Sequence, residues 1–444
     1  MKKGDPEPGS LLAEAACSQR AMRGAGTESL MFASVKKTLL LLFGVHALIG
    51  CSDPAPLTDG GVAADGTTTG EDAATAPCVD GTRQVLPPTA LDGVDAELDG
   101  SDVAIAAVFA GEAEAYLQVL RPDGIHRIEP LTVAGLPEAP ASSFISSRHV
   151  DLEVSEHGYA VAWATFEEGD ADTFLPDNNR SSVAAYVTDR DGAPISGSSA
   201  RSLARDAYNH HVETNYPRVN WMGEGVWFTW SDRRTRERTT GQVRQASGIY
   251  GRRLDSSSGT WSGPEMLVEW ASSSQRFAAA AGPERLYAAW IAGGSDARPH
   301  AAALPALGSP SPIDDSRLTH ILDLAVAPDG TVHTLFGALY ESELSVAIGP
   351  TTVRSVPLPG GVDGGSVRGR IDVDQDAPWI AWADDAQAGW RRLDDAGTEE
   401  LVSFPDARRV DVLAIDVTAS GLRVLLARED AEGMTALELH ERCF

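Results

Sequence analysis

The sequence predicts an all-β protein whose main part, residues 78–444, is a β-propeller. One pattern of short hydrophobic strands recurs along these residues at intervals of roughly fifty positions, which is typical of a repeat architecture. Gly, Asp and Pro residues recur between the strands at strand-length intervals. Beyond residue 80, no long segment shows the 3.6-residue hydrophobic period of an amphipathic helix.

The second strand of each repeat is the best-defined segment, and it follows a chain reversal. These strands are predicted at 103–109, 159–166, 226–230, 286–291, 332–336, 379–383 and 422–427. Their anchor residues are Ala107, Trp163, Trp230, Trp290, Phe336, Trp382 and Leu426, at spacings of 56, 67, 60, 46, 46 and 44 residues. Units of this size match four-stranded blades, so the sequence predicts seven blades, with six or eight as alternatives.

A blade cannot bury both of its faces alone, so it packs against its neighbours around an axis. We therefore expect the anchor aromatic side chains to lie between blades. We expect the ring to close near the ends of the domain, with residues 84–86 as a strand that completes the last blade. Two β-sandwiches are the alternative architecture. They do not explain a repeated turn-then-Trp signature.

Composition excludes some classes of function. The chain has 444 residues and a formal net charge of −28. An acidic surface repels phosphate backbones, so nucleic-acid binding is not expected, whereas the same acidity keeps an exported protein soluble. Every lysine lies at or before Lys37. Residues 51–444 therefore have no lysine for Schiff-base or P-loop chemistry.

Residues 31–50 have the pattern of a secretory signal peptide. Lys36 and Lys37 precede an apolar run, 39–49, that is too short to span a bilayer as a helix. The run ends in Leu-Ile-Gly-Cys, which resembles the bacterial lipobox. This resemblance implies a lipoprotein in which Cys51 carries the lipid and anchors the chain to the outer membrane, facing the periplasm or the exterior. The alternative is a short buried helix with Cys51 in a core.

The segments around the signal complete the domain organisation. Residues 1–30 are polar, so we expect translation to start at Met31 and residues 1–30 to be a non-native extension. Residues 51–77 are rich in Asp, Gly, Thr, Ala and Pro, which predicts a disordered tether. Cys78 and Cys443 remain for the domain, and in an oxidising compartment they are expected to form a disulfide at the seam of the ring. Two free thiols are the alternative.

One repeat carries a more specific pattern: Asn-Tyr-Pro-Arg-Val-Asn-Trp at 215–221, Val-Trp-Phe-Thr-Trp-Ser-Asp-Arg-Arg at 226–234, and Gly-Ile-Tyr-Gly-Arg-Arg-Leu at 248–254. It resembles a repeat of secreted bacterial β-propellers with Tyr-Pro-x-Val, Val-x-Trp-x-Asp-x-Arg and Ile-Tyr-Gly-x-Arg strands. This repeat is distantly similar to the sialidase/BNR-like superfamily, whose Asp-box is echoed without its Asp at 257–261. The resemblance implies a propeller fold. It does not indicate any particular activity.

No catalytic residue is assigned from the sequence, which favours a protein without enzymatic activity. A sialidase-like site would require three arginines, a nucleophilic tyrosine with an acidic partner, and an aspartic acid at the axis. Arg218 is the nearest match to the leading arginine of that family, but the family's Arg-Ile-Pro order is absent.

Metal and cofactor motifs are also sparse. Asp372, Asp374 and Asp376 form an Asp-x-Asp-x-Asp run that could bind Ca²⁺. The glycine and glutamate that complete an EF-hand loop are missing, so a turn is the favoured interpretation. His210 and His211 would point to opposite faces of a strand, which disfavours zinc. No other cofactor is expected.

The sequence therefore favours a lipid-anchored binding or scaffold module. Its partner would be an envelope protein or a glycan, bound by the charged rim loops near 166–182 and 232–247, with membrane contact through the lipid only. One alternative is a degenerate sialidase-like glycoside hydrolase, which arginines and carboxylates converging at the axis would favour. The other is a structural surface protein without a ligand, which a featureless channel would favour.

Overall fold

The structure, a computed structural model, describes sixteen stretches of the chain, all within the compact unit Ala74–Phe444. They are residues 80–110, 114–133, 144–168, 180–195, 201–205, 215–235, 245–270, 277–292, 298–306, 312–313, 319–338, 340–349, 352–359, 362–373, 378–394 and 400–444. The predicted extension, signal peptide and tether lie outside these stretches, as do Cys51 and Cys78. None of the described residues forms a helix that could cross a membrane.

The described residues form strands and turns, without a helix. In the first half of the domain the strands are β1 (Gly81–Asp99), β2 (Asp102–Phe109), β3 (Ala115–Leu120), β4 (His126–Val133), β5 (Phe144–Ser155), β6 (Gly158–Glu168), β7 (Arg180–Thr188), β8 (Arg201–Arg205), β9 (Asn215–Met222), β10 (Gly225–Thr235), β11 (Gln245–Asp255), β12 (Thr260–Trp261) and β13 (Glu265–Trp270). In the second half they are β14 (Phe277–Ala281), β15 (Leu286–Ala292), β16 (Arg298–Ala303), β17 (Thr319–Val326), β18 (Val332–Ala338), β19 (Glu343–Ile348), β20 (Thr352–Pro357), β21 (Arg368–Val373), β22 (Pro378–Ala383), β23 (Gln387–Arg392), β24 (Glu400–Ser403), β25 (Arg409–Thr418), β26 (Gly421–Glu429) and β27 (Met434–Cys443). The predicted all-β class is therefore confirmed for this part of the chain.

The reversals predicted from the sequence are tight turns. Gly100, Gly223 and Gly330 have φ values of 58°, 56° and 84°, in the left-handed region that glycine adopts without a steric penalty. Gly158 (φ 151°) is required for a second reason, because a Cβ at this position would lie 1.8 Å from the carbonyl oxygen of Thr188. Each turn joins the first and second strands of a sheet, and this sets the register of the hairpin.

Consecutive strands pair antiparallel in small sheets. The orders are β5-β6-β7-β8, β14-β15-β16, β17-β18-β19-β20 and β21-β22-β23-β24, and β9-β10-β11 continues to β12 and β13. The last sheet has the order β25-β26-β27-β1-β2-β3-β4. In this sheet, β1 changes partner along its length. Its residues 81–90 pair with β27, and its residues 91–99 pair with β2.

The first strands of these groups lie next to one another in chain order. We call β1, β5, β9, β14, β17, β21 and β25 the inner strands. Each contacts the next, and β25 also contacts β1. Small antiparallel sheets whose first strands surround a common axis are a propeller-like arrangement.

The core lies between neighbouring sheets. Trp163, Trp230, Trp290, Phe336 and Trp382 are each at most 2% exposed. Each belongs to an apolar cluster that includes residues of the preceding sheet; Trp230, for example, clusters with residues of β6 and β7. Since these side chains are among the largest fully buried ones, they supply much of the apolar surface that holds sheet against sheet.

We expect Phe336→Ala to destabilise the domain by about 3–5 kcal/mol, because the change removes a buried ring and leaves a cavity between two sheets. Phe444→Ala is the matched control, since Phe444 is 64% exposed. Urea unfolding of both variants and the parent protein measures the difference. Equal losses of stability in the two variants would contradict this assignment of the core.

Candidate functional site

A cavity of about 230 Å³ lies among the inner strands, and each of the seven contributes to its wall. The charged and amide side chains that line it are Glu97, Asp151, Glu153, Arg218, Asn220, Asp323, Arg370 and Asp372. Alanine and leucine side chains of β14, β17 and β25 complete the wall. The wall of the cavity is therefore polar on most sides and apolar on one side.

The polar residues occur in pairs two positions apart on the inner strands. Asp95 and Glu97 lie on β1, Asp151 and Glu153 on β5, and Arg218 and Asn220 on β9. Because successive side chains of a strand point to opposite faces, residues two apart share a face. The intervening residues, such as Ala96 and Leu152, are buried in the apolar core.

The first aspartate of each acidic pair binds the backbone of the next inner strand. Asp95 Oδ2 accepts a hydrogen bond from the backbone N of Leu152 at 2.8 Å. Asp151 Oδ2 accepts one from the backbone N of Val219 at 2.7 Å. Asp323 Oδ2 does the same with Ile371, at 2.9 Å. These bonds connect one sheet to the next at the axis, so the carboxylates are structural.

The two arginines of the cavity are held by the same carboxylates. Arg218 Nη1 lies 2.6 Å from Asp151 Oδ1. Arg370 Nη2 lies 3.3 Å from Asp95 Oδ1, and its Nη1 lies 3.8 Å from Asp323 Oδ1. Arg370 Nε also donates to the carbonyl oxygen of Leu413 at 2.8 Å, on the following inner strand. Both guanidinium groups therefore already bind acceptors of the protein itself.

Glu97 and Glu153 lack such partners. Both are half-buried, and neither makes a hydrogen bond or ion pair with another described residue. Burial, together with Asp151, Asp95 and Asp323, raises the pKa of Glu153 to about 8, although Arg370 acts in the opposite direction. Burial, then Asp95 and Glu153, raises the pKa of Glu97 well above its ordinary value. At neutral pH the carboxyl group of Glu153 therefore holds a proton.

Asp95 and Asp323 are shifted in the same direction. Burial raises the pKa of Asp95 to about 6, against the lowering effect of Arg370 and of the hydrogen bond from Leu152. Burial also raises the pKa of Asp323. Burial thus raises the pKa values of both aspartates, because it penalises their ionised forms more than the nearby arginine stabilises them.

Asn220 provides a further polar group in the cavity wall. The residue is only 5% exposed, and its Nδ2 donates to the carbonyl oxygen of Ala279 at 3.3 Å. Its Oδ1 has no hydrogen-bond partner among the described residues. This buried oxygen is therefore an acceptor that water or a ligand could use.

The residues singled out from the sequence as candidate site residues do not come together in one site. Arg218 lies in the cavity wall, bound to Asp151. Asp372 also lines the cavity, but its Oδ2 accepts from the backbone N of Val417 at 2.9 Å, and Asp374 and Asp376 lie outside the described residues. Within the described stretches, no group of three His, Cys, Asp or Glu side chains could hold a metal ion. No tyrosine is among the lining residues.

Sequence reasoning missed the acidic pairs Asp95/Glu97 and Asp151/Glu153, as well as Arg370. A usable signal existed. Charged or amide residues flank one apolar residue in the first strand of several repeats, as in Asp-Ala-Glu at 95–97, Asp-Leu-Glu at 151–153 and Arg-Ile-Asp at 370–372. In a propeller the first strand is the innermost, so this pattern marks the axis.

Comparisons with known proteins add little to this geometry. No protein-family model matches the chain, and no curated protein matches it in sequence. Among solved structures, a puromycin-hydrolysing peptidase of Mycobacterium tuberculosis is 12% identical with a TM-score of 0.43, over 79% of this chain and 53% of that one. A GH93 α-L-arabinofuranosidase of Fusarium graminearum, in complex with arabinobiose, is 10% identical with a TM-score of 0.42, over 82% and 98%. The chain spans about half the length of the peptidase. Likeness at this level carries no argument about activity.

We expect the stability of the domain to fall as the pH rises from about 5 to about 8. Between its unfolded pKa, about 4.5, and its folded pKa, about 8, Glu153 binds a proton only in the folded state, so raising the pH favours unfolding. Glu153→Gln should reduce this slope by up to about 1.4 kcal/mol per pH unit.

Urea unfolding at several pH values measures this slope. Glu432→Gln, at an exposed position in the turn before β27, is the matched control and should leave the slope unchanged. An identical pH dependence in the Glu153→Gln variant and the parent protein would contradict the proton assignment.

Proposed function

We propose that this protein is a binding module of a bacterial envelope that holds a small polar ligand in its axial cavity. The observation that carries the proposal is the cavity itself, whose wall has polar side chains from five of the seven inner strands. The charged wall speaks against the alternative of a structural protein with a featureless channel. The sequence-based expectation placed binding at the rim loops, which lie largely outside the described residues. We place it at the axis, because the polar cavity lies there.

We also propose that the ring has seven blades and closes within one shared sheet. Dividing β1 where its partner changes, near residue 91, leaves seven groups of strands. The contact between β25 and β1 supports closure, because it joins the last inner strand to the first. The pairing of Gln84 with Glu438 and of Leu86 with Leu437 supports the expected strand at 84–86. Resemblance to the secreted propeller repeat is consistent with this count, and membership of that group is part of the proposal.

The lipid anchor and the seam disulfide belong to the same proposal. The lipobox-like sequence at 48–51 supports lipidation of Cys51 and placement at the outer membrane. The seam supports a Cys78–Cys443 bond, since the backbone N of Cys443 donates to Asp80 Oδ1 at 2.6 Å and Gly81 pairs with Glu441. One residue separates Cys78 from Asp80, so the chain is short enough to bring Cys78 to Cys443.

We expect peptide mapping of the exported protein under non-reducing conditions to find a lipid on Cys51 and a peptide linking Cys78 to Cys443. Cys51→Ala should move the protein from the membrane fraction to the soluble fraction. An N-terminal peptide that begins upstream of Met31 would refute the proposed processing. Alkylation of both domain cysteines without prior reduction would refute the bond.

A glycoside hydrolase acting on a neutral sugar is the second candidate. One observation favours it: Glu153, with a pKa of about 8, holds a proton at neutral pH and could act as a general acid beside ionised carboxylates. A sialidase-like activity on an acidic sugar is less well supported. Both cavity arginines are bound by aspartates, and no described lining residue is a tyrosine.

We expect a panel of monosaccharides, amino acids and diamines to include at least one solute that raises the melting temperature of the purified full-length protein in a saturable manner. Binding to the folded state alone stabilises it by mass action. Chromogenic aryl glycosides of neutral sugars are tested in parallel. If a glycoside is hydrolysed by the parent protein and not by the Glu153→Gln variant, the protein is a hydrolase and the binding-module proposal is wrong. A panel without any thermal shift or turnover would overturn both candidates.

A further inference from the structure

The acceptor groups of the axial cavity outnumber its available donors. Glu97 and Glu153 line the cavity and make no hydrogen bond or ion pair with a described residue. The aspartates two residues before them are satisfied by the backbone of the next inner strand and by the arginines. The glutamates have no such role in holding the sheets together.

Neither arginine can serve the glutamates without giving up its present partners. Arg218 binds Asp151, and Arg370 binds Asp95 and the carbonyl oxygen of Leu413. No lysine occurs beyond residue 37. A cation that balances the glutamates in their ionised forms would therefore come from outside the described residues.

Asn220 gives independent support for an absent donor. Its side chain lines the same cavity, the residue is 95% buried, and Oδ1 has no partner among the described residues. A buried amide oxygen normally accepts a hydrogen bond from protein, water or ligand. When the two carboxyl groups are ionised, they and the amide oxygen of Asn220 thus line the cavity as acceptors.

We propose that the axial cavity binds a small organic cation with a primary ammonium group, which donates to Glu97, Glu153 and Asn220. This inference rests on the proposed binding function and names its ligand class. An ammonium group has three donors and no acceptor, which matches three acceptors in the wall. A metal ion fits less well, because no described cluster of three His, Cys, Asp or Glu side chains could hold one. The alanines of β14 offer an apolar side for a short alkyl chain.

Binding of such a cation is coupled to proton release. At neutral pH Glu153 is protonated, because burial and the neighbouring Asp151 and Asp95 raise its pKa to about 8 while Arg370 only partly compensates. Burial and Asp95 also raise the pKa of Glu97. An ammonium group beside them favours their ionised forms and lowers both pKa values. Affinity should therefore rise as the pH increases towards the pKa of Glu153, about 8, and protons should leave the protein on binding.

Calorimetric titration of the purified full-length protein with putrescine tests the proposal. We expect saturable binding that is stronger at about pH 8 than at about pH 6, with a heat that depends on the ionisation enthalpy of the buffer. Butanediol, a neutral compound with the same carbon chain, should not bind. Glu153→Gln should weaken putrescine binding at least about tenfold, whereas Glu432→Gln should leave it unchanged. Thermal unfolding of both variants verifies that they are folded.

Each outcome decides the proposal. The absence of saturable putrescine binding, equal binding of butanediol, or unchanged affinity in a folded Glu153→Gln variant would overturn it, and the first result would indicate a cavity that holds water only. If putrescine does not bind while a neutral sugar raises the melting temperature, the proposed ligand class is wrong and the proposed binding function is retained. If no solute binds, the proposed function fails as well.

Discussion

The axis depends on hydrogen bonds that aspartates of the inner strands accept from the backbone N–H groups of the next inner strand. They join β1 to β5, β5 to β9 and β17 to β21. Each small sheet has an apolar face that needs a neighbour, so large buried side chains bring the sheets together. The aspartates then set how the first strands align, because each carboxylate binds one particular N–H group.

This use of carboxylates at the axis has an electrostatic consequence. Several acids lie close together in the interior, and Arg218 and Arg370 neutralise only part of their charge. Burial and mutual repulsion are relieved by protonation of the acids that have no partner. The same packing that aligns the sheets therefore produces two glutamates with raised pKa values and an amide oxygen without a described partner around one cavity. A site of this kind suits a ligand that brings both hydrogen-bond donors and positive charge.

The size of the cavity limits what that ligand can be. At about 230 Å³ it accommodates a small molecule or a single group of a larger one, and not an extended chain. Its polar wall is built on strands, whose side chains are held by packing on both sides. The groups that would recognise a ligand are thus positioned before it arrives, which reduces the entropy lost on binding.

The sequence by itself determined the local features of this protein. Strand-length hydrophobic runs, glycines at reversals such as Gly158 and Gly330, and a bulky anchor in each second strand follow from backbone geometry and apolar burial, which act over a few residues. The composition likewise determined that the protein is acidic. Tertiary structure alone decided the site. Glu97, Glu153, Asn220 and Arg370 are separated by up to hundreds of positions, and each resembles an ordinary surface residue along the chain. Only the packing of the inner strands against one another brings them together, removes water from around them and thereby raises the pKa values of the two glutamates.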